Sequence, residues 1–535
     1  MLDRLNSLYP IRYTALAASI VLALLSLFTW IGFGIGGQLV LLFGLLSALG
    51  LRDALQEADP LRRNYPLVGR LWRAGQWLSA HWRREPPTPS SNTDADTTTR
   101  LSPRQVQWVH RLTRSAHRGS TPWGQSGRGH TWLATTWPVT RLASADFRVR
   151  IGGPACRHPV EASVFNLGAL DFGTLSGPAI ASLNRGAALA GFAQNTGAGG
   201  VCSHHRQHGG DLIWQIGPGL SGCANPQGRF DEWRFEAAAR DAQVHLIEVL
   251  PQHASGHGLG ACLPASKVAP EVASLRGARP GEPWQAPAAL EAMASPIDLL
   301  AFVQRLRDLS DGKPVGLKLR IGKAGAWFAL AKAMHLSGIT PDFINIEGAD
   351  AALSPLGRPL PDAVALVHDT LVGLILRDRV RIGAEGRLVG PFEIAEAMAM
   401  GADWCHGSRG FMLALGCEQA LKCNTNECPT GIATQDPLRA QALVAIDKGE
   451  RVRRYHQGTL EGLRALVEAA GLTHPGEFQR MHLLWRTPSG RVVSMAERYP
   501  CCNPGALLTD PPGTQWPAAL LAEWSAASAT QFHAD

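Results

Sequence analysis

The stretch VRIGAEGRLVGPFEIAEAMAMGADWCHGSRG, residues 380–410, holds the pattern that decides the fold. An apolar run, VRIGAEG, ends in glycine; a helical segment, PFEIAEAMAM, follows; a second apolar run, ADWCHG, again ends in glycine. Strand, glycine turn, helix and strand make a βα repeat, and repeated βα units build a parallel sheet. The same texture runs upstream. VEASVFNLGAL at 160–170 precedes an Ala-rich helix from Gly177, HLIEVL occupies 245–250, the helix pattern IDLLAFVQRLRDL precedes KPVGLKLRIG, and FINIEG ends at Gly348. At least six such units between residues 151 and 440 predict a (β/α)8 TIM barrel, an α/β fold.

Outside the barrel the chain changes character. From Tyr13 to Leu51 there is no charged residue, and only GFGIGG at 32–37 interrupts the apolar run. A spanning helix needs about 20 apolar residues, so the halves TALAASIVLALLSLFTWI and LVLLFGLLSALGL predict a transmembrane hairpin, the second half being short. The run is too long for a cleaved signal peptide, and no convincing cleavage site follows it. Arg4 and Arg12 precede the hairpin, and Arg52, Arg62, Arg63, Arg70 and Arg73 follow it, which predicts both ends on the cytoplasmic face of the membrane. The formal charge of +7 is read as this topology and not as a nucleic-acid surface. Residues 84–103, REPPTPSSNTDADTTTRLSP, have a linker composition. The expected organisation is a membrane and juxtamembrane segment at 1–83, a linker at 84–103, a lead-in at 104–150, the barrel at 151–440 and a helical extension at 441–535.

Chemistry belongs at the strand ends of such a barrel. The two glycine turns opened above put Gly383, Ala384 and Gly386 on one, and Gly407, Ser408 and Arg409 on the other. Loops after the last two strands commonly form a phosphate site from backbone N–H groups, and the pair favours a phosphorylated ligand. Lys318 alternates with apolar neighbours in GLKLRIG and is expected to face the mouth, either stabilising negative charge on a flavin or substrate or forming an ion pair.

Directly after the second turn, GCEQALKCNTNECPTG at 416–431 places Cys417, Cys423 and Cys428 in a C-x5-C-x4-C array. The other seven of the ten cysteines show no small-domain disulfide spacing, which points to a reducing compartment. Lys422, Asn424, Asn426 and Glu427 interleave the three thiols, which argues against simple core packing. Structural zinc wants four ligands, so three thiolates favour an iron–sulfur cluster with one corner unliganded, a [3Fe-4S] cluster.

The run ALGCEQALKCNTNECPTGIATQDP, with RIGAEGRLVGPFEIAEAMAMGADWCHGSRGFM, GKPVGLKL and FGTLSGPAIASLNRGA in the same order, closely resembles the FMN-binding domain of glutamate synthases. The likeness covers roughly residues 150–470 and is strongest to stand-alone FMN-binding glutamate synthase family proteins, which RNYPLVG also resembles. The resemblance implies a (β/α)8 barrel holding FMN, with Ala169, Gly173, Thr174 and Lys318 in the flavin-contacting set and Lys318 catalytic. It also implies a [3Fe-4S] cluster on the three cysteines that passes electrons to the flavin from a donor protein or reductase subunit. The implied reaction is reductive conversion of 2-oxoglutarate and ammonia to glutamate. Met1 is followed by Leu2 where the full-length enzymes carry a cysteine nucleophile, so ammonia is expected from solution or a partner.

Departures from the family pattern fall on the substrate side. NTGAGG at 195–200 has Ala198 where a carboxylate is usual, LPQHASGHGLG at 250–260 is shorter and lacks two lysines, and EGADAALSPLGRPLP replaces a glycine-rich loop. Asp171 stands where a neutral serine is usual and is expected to oppose an anionic reduced flavin. Two readings follow: a membrane-tethered FMN and iron–sulfur oxidoreductase, on glutamate synthesis or a changed substrate, or a degenerate paralogue serving as scaffold or regulatory subunit. His204 and His208, four apart, make a weak metal pair that the family pattern does not use.

Overall fold

A computed structural model describes residues 11–82, 100–114, 131–137, 139–253, 261–349 and 356–532. Most of the expected linker, and the middles of the loops at 250–260 and 347–361, lie outside the described residues.

Eight parallel strands close into a barrel: β1 (Phe165–Leu167), β2 (Gln194–Asn195), β3 (Leu212–Ile216), β4 (Val244–Val249), β5 (Val315–Leu319), β6 (Phe343–Glu347), β7 (Arg381–Gly386) and β8 (Trp404–Gly407). The ring shuts where β8 pairs with β1, Cys405 opposite Phe165 and Gly407 opposite Leu167. Both faces of such a sheet are covered, which is why LIWQI in β3 is buried at every position. The barrel floor is apolar: Ala193, Ile213, Leu246, Phe343 and Trp404 pack together inside. A β-hairpin pairing Arg148–Ile151 with Val160–Ser163 plugs this end through Ile151 and Ala162.

The helices begin with the predicted hairpin, α1 (Thr14–Phe33) and α2 (Gly37–Leu55), both long and apolar enough to cross a membrane by length and composition. They meet along small residues, Ser47 donating to Ser19 at 3.2 Å, and turn their large apolar side chains outward. Around the barrel run α3 (Gly177–Ala190), α4 (Pro296–Leu309), α5 (Ala324–Ser337), α6 (Leu360–Gly373), α7 (Pro391–Ala399) and the short α8 (Arg409–Leu415). Ser176 and Ser295 cap α3 and α4, each followed by a proline in the first turn where a missing N–H costs nothing.

Two features depart from a regular repeat. Between β2 and β3 only single 3-10 turns, Gly197–Gly199 and Ser203–Arg206, stand in place of a helix. The long α9 (Ala445–Ala469) packs on α3 and is part of the barrel wall: Tyr455 donates to Val389 O at 2.7 Å and the His456 ring bonds Phe165 O at 2.9 Å. Beyond it, Leu483–Arg486 pairs with Val492–Ser494 and with Thr131–Leu133 of the lead-in, joining the two flanking segments in one small sheet.

Candidate active site

Strand alternation carries a second, polar layer above the apolar floor. Glu248 on β4 is fully buried and accepts from Asn195 Nδ2 (2.7 Å) and Gln215 Nε2 (2.6 Å) on β2 and β3, and from the Asn345 amide on β6. Burial raises its pKa, working against the nearby Lys318 ammonium. Gly383 on β7 makes the layer possible, because a Cβ there would lie 1.7 Å from Asn345 Oδ1. That glycine sits within the ladder, opposite Asn345 and Trp404, one level below the mouth. Ala384 turns outward into the helical layer, and Gly386 and Gly407 face each other as the last residues of their strands.

Lys318 does point into the mouth, and it is in an ion pair: its Nζ is 2.8 Å from Glu385 Oε2, with both side chains nearly sealed from water. Burial works to lower its pKa, but Glu385, Glu347 and Glu248 together outweigh burial and raise it, so the ammonium is held charged. The other oxygen of Glu385 accepts from Ala169 N at 3.3 Å. A Cβ on Gly168 would stand 2.6 Å from Ser408 Oγ and 2.7 Å from Glu385 Oε1, so Ala169, Glu385, Ser408 and Lys318 converge on one spot. His406 on β8 is buried with the Leu167 backbone beside its ring, and burial pushes its pKa down to about 3, Lys318 adding to the fall. Asn345 Oδ1 and Thr174 Oγ1 are buried without partners. A polar atom left so in an apolar setting costs about 1–3 kcal/mol, a cost that a polar ligand reaching it would remove.

Asp171, expected to set a bare carboxylate beside the site, is instead paired with Arg276, which is buried and stacks 4.4 Å from the Trp284 ring. Arg320 likewise meets Glu347 at 2.8 Å. Ala198 lies buried in the turn after β2. His204 contacts Glu271 at 3.6 Å and Gln207 at 3.1 Å, and no group of three or more His, Cys, Asp or Glu side chains among the described residues is set to hold a single metal ion.

The three cysteines of the thiol loop are free. An iron–sulfur cluster binds one iron per thiolate, so its sulfurs need not converge on one ion. Two contacts suit an anionic thiolate set, and burial opposes it. Gln419 N–H points at Cys417 Sγ (3.4 Å), and Thr430 Oγ1 lies 3.4 Å from Cys428 Sγ. Burial raises the Cys417 thiol to about 12, with Cys428 and Cys423 adding to it, while Lys267 and Arg409 work against burial at Cys423. Gly173 and Thr174 stand beside this loop. Lys267 Nζ donates to Thr174 O at 2.6 Å, and Gln435 Nε2 donates to Gly173 O (3.2 Å) and Leu175 O (2.7 Å). Asn426 locks the tail, its Oδ1 accepting from Gln435 N at 2.6 Å. Sequence reading misses Glu248, Asn195, Gln215, Asn345, Glu385 and His406; for Glu248, Gln215, Asn345 and Glu385 the one signal is a polar residue set among apolar neighbours in a strand.

Residues 155–473 match the family described as the conserved region in glutamate synthase. A glutamate synthase large subunit-like protein of Bacillus subtilis is 35% identical over 356 residues, 64% of this chain and 67% of that protein. The large chain of the NADPH glutamate synthase of Bacillus subtilis is 28% identical over 287 residues, 51% of this chain but 18% of that enzyme. Among solved structures, a flavocytochrome b2 variant with pyruvate bound is 11% identical with a TM-score of 0.42, covering 77% of this chain and 90% of that one.

Proposed function

Because the chain belongs to the glutamate synthase family, we propose that its barrel is an FMN-dependent oxidoreductase of the glutamate synthase type, held at the cytoplasmic face of a membrane by its N-terminal hairpin. Electrons enter through a [3Fe-4S] cluster on Cys417, Cys423 and Cys428, and the reaction joins 2-oxoglutarate, ammonia, two electrons and two protons to give glutamate and water. The observation that carries this reading is the Gln435 bridge, which ties the thiol loop to the Gly173 turn at the barrel mouth.

Bound FMN supplies hydride transfer and bridges one-electron and two-electron chemistry. The protein's part is electrostatic and positional. Lys318, kept charged by its carboxylates, offsets negative charge that gathers at the mouth on reduction. Gly386, Gly407 and Ser408 frame the phosphate end with Ala169 beside Ser408, Gly173 and Thr174 line the side nearer the thiol loop, and Arg409, next after Ser408, also acts on Cys423. Thr174 Oγ1 and the uncharged His406 ring offer polar atoms to the ligand.

One observation favours a changed substrate. Lys318, Arg320 and Arg276 each already face a carboxylate, so the mouth gives a dicarboxylate fewer uncommitted cations than its arginine and lysine content suggests.

An anaerobic visible spectrum of the detergent-purified protein, with flavin and iron quantified, tests these readings. Dithionite reduction followed by 2-oxoglutarate with ammonium is expected to reoxidise the flavin. Intact cofactors that stay reduced mean a different substrate. A colourless protein sinks the oxidoreductase reading and leaves a scaffold.

A further inference from the structure

The membrane hairpin does not merely tether the barrel. Its foot grips the thiol loop beside both outer cysteines. Arg73 Nη2 lies 2.9 Å from Glu418 Oε1, and Glu418 is the residue after Cys417. Asn64, 1% exposed, donates from its Nδ2 to Pro429 O (3.1 Å) and Arg439 O (3.2 Å), and Pro429 is the residue after Cys428. The foot is itself fixed to the hairpin: Asp53, in the last turn of α2, takes both guanidinium arms of Arg70 at 2.7 and 2.8 Å. The start of α1 reaches the same place, Arg12 lying 3.4 Å from Asp436 in the tail of the thiol loop.

At the other end of the hairpin Phe28, Ile31, Phe33 and Ile35 are each more than 70% exposed, as lipid-facing residues are. A helix of 19 residues rises about 28 Å, close to the hydrocarbon thickness, so the foot lies at the lipid–water boundary.

We propose that residues 53–73 and the thiol loop form one unit that holds Cys417, Cys423 and Cys428 at the membrane surface, so that the electron donor is a membrane-held one-electron carrier. Two such carriers, each losing one electron, supply the two electrons that one substrate consumes. A carrier confined to the same surface meets the loop at a high effective concentration without a large docking face. This inference rests on the cluster reading above.

The experiment uses the full chain in lipid vesicles and the electron paramagnetic resonance of its oxidised cluster. Relaxation is compared with a dysprosium chelate attached to lipid headgroups and with the same chelate free in the buffer. At matched bulk concentration the lipid-bound chelate is expected to speed relaxation several-fold more than the free one. Equal or weaker enhancement by the lipid-bound chelate, with the cluster present, overturns the placement and leaves the cluster reading standing. Absence of iron overturns both. Asn64→Ala and Arg73→Ala should broaden the cluster signal and release iron on gel filtration while the flavin is retained, with partial rescue by Arg73→Lys. Unchanged line shape and iron content in both variants overturn the clamp.

Discussion

Lys318 and Glu385 meet at 2.8 Å inside the barrel mouth, reaching across β6, one from β5 and the other from β7, with 5% and 7% of their side chains exposed. Removing one member of a buried pair strands the other charge, at a cost of roughly 3–5 kcal/mol. Glu385→Gln and Lys318→Met should therefore each lower stability, while the double variant recovers much of the loss. A denaturation double-mutant cycle measures the coupling, and additive losses would show that the pair is not a unit.

Asp171 and Arg276 make a second such pair, stacked on Trp284. The sequence suggests a lone carboxylate near the flavin; the fold neutralises it. Asp171→Ser is thus expected to cost roughly 3–5 kcal/mol of stability by stranding the arginine. An Asp171→Ser protein as stable as the parent rejects this pairing.

The pattern of strand, glycine turn and helix was legible because each βα unit is local, and the apolar hairpin because a membrane helix is written in one run. The polar layer was not. In HLIEVL a glutamate reads as an outward residue until barrel closure makes the alternate face an interior shared with Asn195, Gln215 and Asn345. β2 is two residues long, too short for any periodicity. The pairing of Thr131–Leu133 with Leu483–Arg486 joins residues far apart in sequence and leaves no local trace. The thiol spacing was visible at once, but the grip of Asn64 and Arg73 on it depends on the path of the chain after the hairpin.

For the thiol loop, Cys423→Ser should abolish iron and sulfide content and the associated visible absorbance while far-ultraviolet circular dichroism stays that of the barrel. The loop projects beyond α8 and no strand passes through it. An unchanged iron content in this variant sinks the cluster assignment.

Acid stability follows from buried histidines. Burial pushes His205, His368 and His406 down to about 3 and His456 to about 4, against 6.5 when unfolded. Below pH 6.5 the unfolded chain binds protons that the folded one refuses, so stability falls as pH drops from 6.5 towards 4, by at most about 1.4 kcal/mol per pH unit for each histidine. Thermal melts of His456→Gln between pH 7 and 4.5 should show a shallower slope than the parent by roughly that amount. Parallel slopes would mean that His456 is protonated in the fold.

Gln435 is the link whose loss separates the two halves of the site. Its side-chain amide satisfies Gly173 O and Leu175 O together, and its backbone N–H is held by Asn426. Gln435→Ala strands Gly173 O, a cost of about 1–3 kcal/mol if it stays dry, while Leu175 O keeps the Gly173 N–H at 3.3 Å. Glu at this position presents carboxylate oxygens to the same carbonyls and should be worse than Ala. Because the bridge fixes the Gly173 turn, the Ala variant is expected to lose flavin more readily, seen as free flavin fluorescence on dilution, while iron content per chain holds. Flavin retention equal to the parent's would place the Gly173 turn outside the flavin site and reduce the bridge to a loop anchor.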